Sequence, residues 1–160
     1  MKFKYLTDMI ELLKKLEENR KLLLSQTEYL RADQYNLIPV GFNNNIIWNM
    51  GHLLVTGDGI LYRNSPDQRP EYEFPESRYG MGSKPGDFLS EREINYIRQS
   101  LSETVSLYKI ATGIDQPIAN SGSTTTATVP SISVHDLQFL FFHEDMHYRK
   151  IAKLLQKVTG

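Results

Sequence analysis

Apolar residues recur at helical spacing in four separate stretches of this chain, and that periodicity points to a bundle of helices. In the first stretch Met9, Ile10, Leu13, Leu16, Leu23 and Leu24 form a stripe opposite Lys14, Lys15, Glu17, Glu18 and Arg20, with Thr7 as the expected N-cap. Pro39 and Gly41 break the pattern, and Asn43, Asn44 or Asn45 then caps a second helix that carries His52 and fades near Arg63 and Asn64. Ser90 and Glu93 form a capping box for a third helix, with Ile94, Ile97, Leu101, Val105 and Tyr108 on one face and Gly113 as its stop. The fourth helix is expected from Val134 to Val158, started by the pair Ser133 and Asp136. From Leu137 to Phe142 it is apolar on almost every side, which places it in the centre of the core or against a second subunit.

The connections constrain the topology. The stretch from Ser65 to Leu89 is too long for a tight turn, and at roughly 3.3 Å per extended residue it can run the length of a bundle. Helices two and three can therefore lie parallel. If this crossover folds over a site, Tyr72, Phe74, Tyr79 and Met81 are its candidates for substrate selectivity; otherwise it is a structural wrap. A weak alternation from Thr124 to Val129 is either a short strand or loop. Gly51, Gly57 and Gly59 in the second helix imply close approach of another backbone or a ligand, or else a kinked helix.

Composition narrows the classes. One hundred and sixty residues, 40% hydrophobic, suit one domain spanning 1–160 with a proper core. A net charge of -1, without a clustered basic block, argues against nucleic acid as a partner. The absence of cysteine excludes disulfides, a thiolate nucleophile and a Cys-ligated zinc. The N-terminal run lacks the apolar core of a signal peptide and no apolar run reaches membrane-span length, so a cytoplasmic protein without membrane attachment is expected.

The candidate chemistry lies in Phe141-Phe142-His143-Glu144-Asp145-Met146-His147. Histidines at i and i+4 share one helix face and can close on one metal ion. The run spells His-Glu-x-x-His, the pattern of zinc proteases, whose third ligand lies downstream. From Tyr148 to Gly160 there is no His, Asp, Glu or Cys, so a third ligand must lie upstream. His52 sits in a largely apolar helical segment, where a buried imidazole needs a partner that a metal would supply. His135 falls in the first turn of the last helix, partly exposed, and is the second choice. Around these residues, Asn49 is placed to hydrogen-bond a ligand histidine or simply another helix, and Trp48 to pack or to offer a substrate platform. Glu144 is a candidate water-orienting catalytic group or a salt-bridge partner of Arg149 or Lys150. Tyr148 and Arg149 either bind an acidic substrate or face solvent.

The block Trp48-Asn49-x-Gly51-His52-Leu53, followed by His143-x-x-x-His147 in a C-terminal helix, resembles the DinB-type metal-binding four-helix-bundle superfamily over essentially the whole chain. The resemblance implies an all-α bundle in up-down-down-up order, with a divalent ion held by His52, His143 and His147 and positions left open for water. Zinc or nickel is the implied metal, with manganese as a further candidate, and a homodimer is the implied assembly. Some members of that superfamily transfer a low-molecular-weight thiol to an electrophile and others are described as hydrolases, so the expected partner is a small molecule. A non-catalytic metal-binding stress-response bundle is the second reading, and a His-Glu-x-x-His metalloprotease the third.

Overall fold

The computed structural model describes residues 2–69, 76–114 and 131–160, and the helices within them account for all their regular structure. Five α-helices follow in order: α1 Lys2–Gln26, α2 Ala32–Asn36, α3 Ile46–Leu61, α4 Glu91–Ala111 and α5 Val134–Thr159. Two short 3₁₀ turns, Pro66–Gln68 and Glu76–Arg78, punctuate the α3–α4 crossover. Tyr72, Phe74 and the weak alternation at 124–129 lie outside the described residues.

Local chemistry accounts for most of the boundaries. Asn45 caps α3, its side-chain oxygen accepting the Trp48 N–H at 2.9 Å. Ser90 with Glu93 and Ser133 with Asp136 form the capping boxes that start α4 and α5. Gly113, two residues after α4, takes the left-handed φ of 70° that ends helices cheaply only at glycine. Two expectations are corrected. Helix α1 runs from Lys2, with Thr7 inside it rather than capping it, since neither Pro nor Gly upstream stops the helix. The segment after α1 also contains the short α2, started by the Gln34 side-chain oxygen accepting the Arg31 N–H at 3.0 Å.

Two apolar clusters give the directions of the long helices. At one end Leu13 and Leu16 of α1 meet Leu61 and Tyr62 from the end of α3, Tyr108 and Ala111 from the end of α4, and Leu137 and Leu140 from the start of α5. At the other end Leu23 meets Ile46 and Ile47, Ile94 and Ile97, and Ile151 and Leu154. The order is therefore up, down, down, up, with α3 and α4 parallel. Each fully buried Leu or Ile contributes about 1.5–3 kcal/mol of transfer free energy to holding the helices together.

The most enclosed helix is α3, so of the two places expected for the last helix, the centre of the core or a contact with a second subunit, the first is taken by α3 instead. Every residue from Ile46 to Val55 is buried, whereas α5 exposes Phe139, Phe142 and Met146. Helix α3 packs between α4 and α5 and is further covered by α2 and by the crossover at Tyr79. Its glycines record that covering. A Cβ on Gly51 would meet the Tyr79 ring at 2.5 Å, and one on Gly57 would overlap the Tyr108 hydroxyl, while Gly59 has open space. Aromatic side chains, not a backbone or a ligand, make the close approach. Among the described residues no helix is long and apolar enough to cross a membrane.

Candidate metal centre

His52 on α3 and His143 and His147 on α5 converge, each offering a ring nitrogen within 4.8 Å of the other two. The Nε2 atoms of His52 and His143 are 3.2 Å apart. Burial of His52 and His147 is nearly complete, whereas His143 retains partial exposure. The i, i+4 spacing puts both α5 rings on the side facing α3, which antiparallel packing brings opposite His52.

Hydrogen bonds behind the rings fix their proton positions. His52 Nδ1 lies 2.6 Å from the backbone oxygen of Tyr79. A carbonyl only accepts, so His52 donates from Nδ1 and keeps the Nε2 lone pair for the cluster. His147 Nδ1 lies 2.8 Å from Asn49 Oδ1. The Asn49 amide nitrogen donates to the Asn45 carbonyl at 2.7 Å and to Asn44 Oδ1 at 3.1 Å, which sets the carboxamide so that its oxygen faces His147. His147 therefore also donates from Nδ1 and keeps Nε2 unprotonated. Carbonyl or carboxamide partners of this type orient metal-ligating histidines and raise their basicity as ligands. His143 differs: its buried Nδ1 has no hydrogen-bond partner among the described residues.

Such a cluster accommodates a divalent ion. Two imidazole lone pairs aimed at each other repel, so the convergence requires either a proton on His143 Nε2 or a cation among the rings. Burial, followed by the adjacent imidazoles of His143 and His52 and by Lys150, pushes His147 down to about 3, and burial with His52 lowers His143 too. Neutral rings are the form that binds metal. The rings are also held by aromatic contacts. Trp48 stacks on His52 with centroids 5.0 Å apart and an interplanar angle of 8°, and Phe139 lies against His143 at 5.6 Å and 15°. Trp48 Nε1 donates to Ser83 Oγ at 3.2 Å, tying the crossover to α3 a second time.

Other candidates lie elsewhere. Glu144 is fully buried and points to α1 and α4, where Arg20 donates to its carboxylate from Nε and Nη2 and the Tyr148 hydroxyl donates to Oε2. Successive helical residues are turned by about 100°, so a carboxylate beside His143 faces a different neighbour. It is outside the group of converging ligand atoms, and its oxygens are committed to Arg20 and Tyr148. The run His-Glu-x-x-His thus lacks here the free glutamate a protease needs as base. Burial raises the Tyr148 hydroxyl far above its ordinary range, so it stays a neutral donor. Arg149 is exposed and pairs with Asp145 at 2.9 Å. His135 is exposed near Gln138, and it too is outside the group.

The pH response of the metal-free protein follows from these environments. His147 titrates lower folded than unfolded, so the unfolded chain takes up its proton first as pH falls. The stability contributed by the neutral ring is present above about pH 6.5 and declines below it, by at most about 1.4 kcal/mol per pH unit per group. Glu17, held down at about 2 by Lys109 and Lys21, loses its contribution only as pH falls from the ordinary carboxylate value of 4.5 toward 2, outside this window. The urea midpoint of metal-free protein is therefore expected to fall between about pH 7 and about pH 5.5, before carboxylates contribute. A flat midpoint across that window contradicts the assigned neutral cluster.

Comparison with curated proteins and with solved structures finds no match. A sequence profile of the DinB superfamily matches residues 15–151. Since that span covers most of the chain and contains all three converging histidines with the outer partners Asn49 and Tyr79, the chain belongs to the DinB superfamily.

Proposed function

We propose that this protein is a divalent-metal-dependent enzyme that transfers a low-molecular-weight thiol to an electrophilic small molecule, with hydrolysis as the related reaction if water takes the place of the thiol. The supporting observation is the donor set: three imidazoles converge, no carboxylate joins them among the described residues, and one of them, His143, is partly exposed. A zinc or nickel ion held by His52, His143 and His147, or manganese, would supply Lewis acidity that lowers the pKa of a thiol or water there.

The chain's own residues do the rest. Asn49 and the Tyr79 carbonyl keep the protons of His147 and His52 on the outer side of the rings, leaving the inner lone pairs available. Trp48 and the crossover exclude water from the α3 side, since Trp48 is buried against His52. With no cysteine in the chain, the sulfur nucleophile must come from the cosubstrate. In the transfer the thiol S–H proton goes to solvent, a sulfur–carbon bond forms, and the leaving group departs with the electrons of its broken carbon bond.

The test is thiol consumption by metal-reconstituted protein with a generic alkylating electrophile and a panel of low-molecular-weight thiols. Turnover lost on chelation and restored by metal supports the reading. Full metal occupancy without turnover of any thiol, and without ester or amide hydrolysis, replaces it with a non-catalytic metal-binding bundle.

A further inference from the structure

Beyond the three histidines, α5 carries a feature that the bundle does not use. Phe139, His143, Met146 and Lys150 follow one another at spacings of four, three and four residues, which sets them on one line along the helix. His143 is the partly exposed member of the cluster, and its ring lies against Phe139. The apolar residues of this line are open to solvent: Phe139 is 52% exposed and Met146 52%, with Phe142 beside them at 70%. Large side chains left open this far at the rim of a cluster of buried polar rings form an apolar shelf leading to it.

The charge around the cluster is one-sided. Three neutral imidazoles leave a divalent ion's charge uncompensated by protein. Glu144, the nearest carboxylate in sequence, is neutralised by its ion pair with Arg20, and Asp145 by Arg149. Lys150 is half-buried, one turn beyond His147, and has no ion-pair partner among the described residues. An ammonium group without a counter-ion beside a cationic centre favours an anion.

We propose that the His143 edge of the centre receives an anion carrying an apolar tail, with its charge beside Lys150 and its tail along Phe139, Phe142 and Met146. This rests on the metal-centre reading and narrows its substrate class: the small molecule is an amphiphilic carboxylate, thiolate or related anion, in preference to a neutral or cationic one.

Cobalt(II) gives a readout that does not require turnover, because its visible absorption changes when an exogenous ligand binds. Cobalt-loaded protein is titrated with acetate, octanoate, octanamide and octylamine. Octanoate is expected to perturb the spectrum and to bind at least about tenfold more tightly than acetate, the difference reflecting methylenes laid on the shelf. Octanamide and octylamine are expected to bind at least about tenfold more weakly than octanoate, since they lack the negative charge. Lys150→Met is expected to weaken octanoate and acetate alike by several-fold, and the doubly substituted Phe142→Ser, Met146→Ser protein to bring octanoate down to the level of acetate. Both residues are exposed, so these substitutions leave the core untouched.

Equal binding of acetate and octanoate, or of octanoate and octanamide, overturns the proposal while leaving the metal centre standing. So does a double serine variant that changes the sedimentation coefficient from dimer to monomer without altering octanoate affinity, since the shelf would then be a contact between two copies of the chain. Failure of the wild-type protein to take up cobalt, zinc or nickel instead overturns the metal reading beneath it.

Discussion

Replacing His52 or His147 with alanine is expected to abolish stoichiometric metal binding, lowering affinity by more than about 100-fold. Both rings are buried, present an inner lone pair, and are fixed from behind by a hydrogen bond at 2.6 Å and 2.8 Å respectively. No other His, Asp or Glu among the described residues is close enough to substitute. Asn49→Ala is expected to cost less, about 10–100-fold, the usual effect of losing the outer partner of a ligating histidine. It frees the His147 ring to rotate and change tautomer without removing a ligand. His135→Ala is expected to change nothing, because His135 is exposed near the start of α5 and outside the cluster. Metal content by mass spectrometry on tag-free protein, purified without a metal column, gives the stoichiometry, and competition with a chromophoric chelator gives the affinities. About one equivalent in wild type, lost in the two histidine variants and weakened in Asn49→Ala, is the expected pattern. Retention of full affinity by Asn49→Ala would remove that side chain from the centre, and retention by either histidine variant would dissolve the centre itself.

How much of this was legible in the sequence depends on how far apart the cooperating residues lie. The boundaries of α3, α4 and α5 were readable because caps and stops act within four residues: Asn45, the pairs Ser90 with Glu93 and Ser133 with Asp136, and Gly113 are each local signals. The three histidines were readable because i, i+4 spacing is also local and because His52 stood out as a polar residue in an apolar helix. The Tyr79 carbonyl was not, since any residue has a carbonyl and only the path of the crossover brings this one to His52. The burial of α3 was legible in its apolar run, but what covers it was not, since the cover comes from Tyr79 and α2, far off in sequence. Arg20 is a different case. It was assigned to the charged face of α1, yet Leu13, Leu16, Arg20, Leu23 and Thr27 are all buried at spacings of three, four, three and four. On α5 Leu137, Leu140, Glu144, His147, Ile151 and Leu154 repeat that rhythm. Periodicity thus put both charges in the core, and residue type alone had argued them out of it.

Removing one member of that buried pair is expected to be the most damaging single change in the bundle. Arg20 and Glu144 are both fully enclosed, joined through two guanidinium nitrogens. Arg20 Nη1 also donates to the Leu101 carbonyl at 2.9 Å and to Thr104, and Nη2 reaches the Tyr108 hydroxyl at 3.2 Å. Arg20→Met would leave the Glu144 carboxylate in the core with the Tyr148 hydroxyl as its remaining partner, and would strip donors from three groups on α4. A buried charge without its partner costs about 3–5 kcal/mol, which is a large share of the stability of a domain this size. Combining Arg20→Met with Glu144→Leu removes both desolvation penalties and is expected to recover part of the loss, because an apolar pair can replace a buried ion pair at little net cost. The recovery is partial because the α4 groups and the Tyr148 hydroxyl stay without their Arg20 and Glu144 partners. Urea denaturation of the two single variants and the double variant closes the cycle, with the double expected to lie nearer wild type than either single. Metal affinity in the double variant is expected to stay within a few-fold of wild type. The face that α5 turns toward α3 is also set by Leu137, Leu140, Ile151 and Leu154, and the imidazoles are oriented by Asn49 and Tyr79, none of which the substitutions touch. A double variant that is stable yet loses the metal would show instead that the ion pair, rather than the apolar stripe, sets the rotation of α5 on which the centre depends.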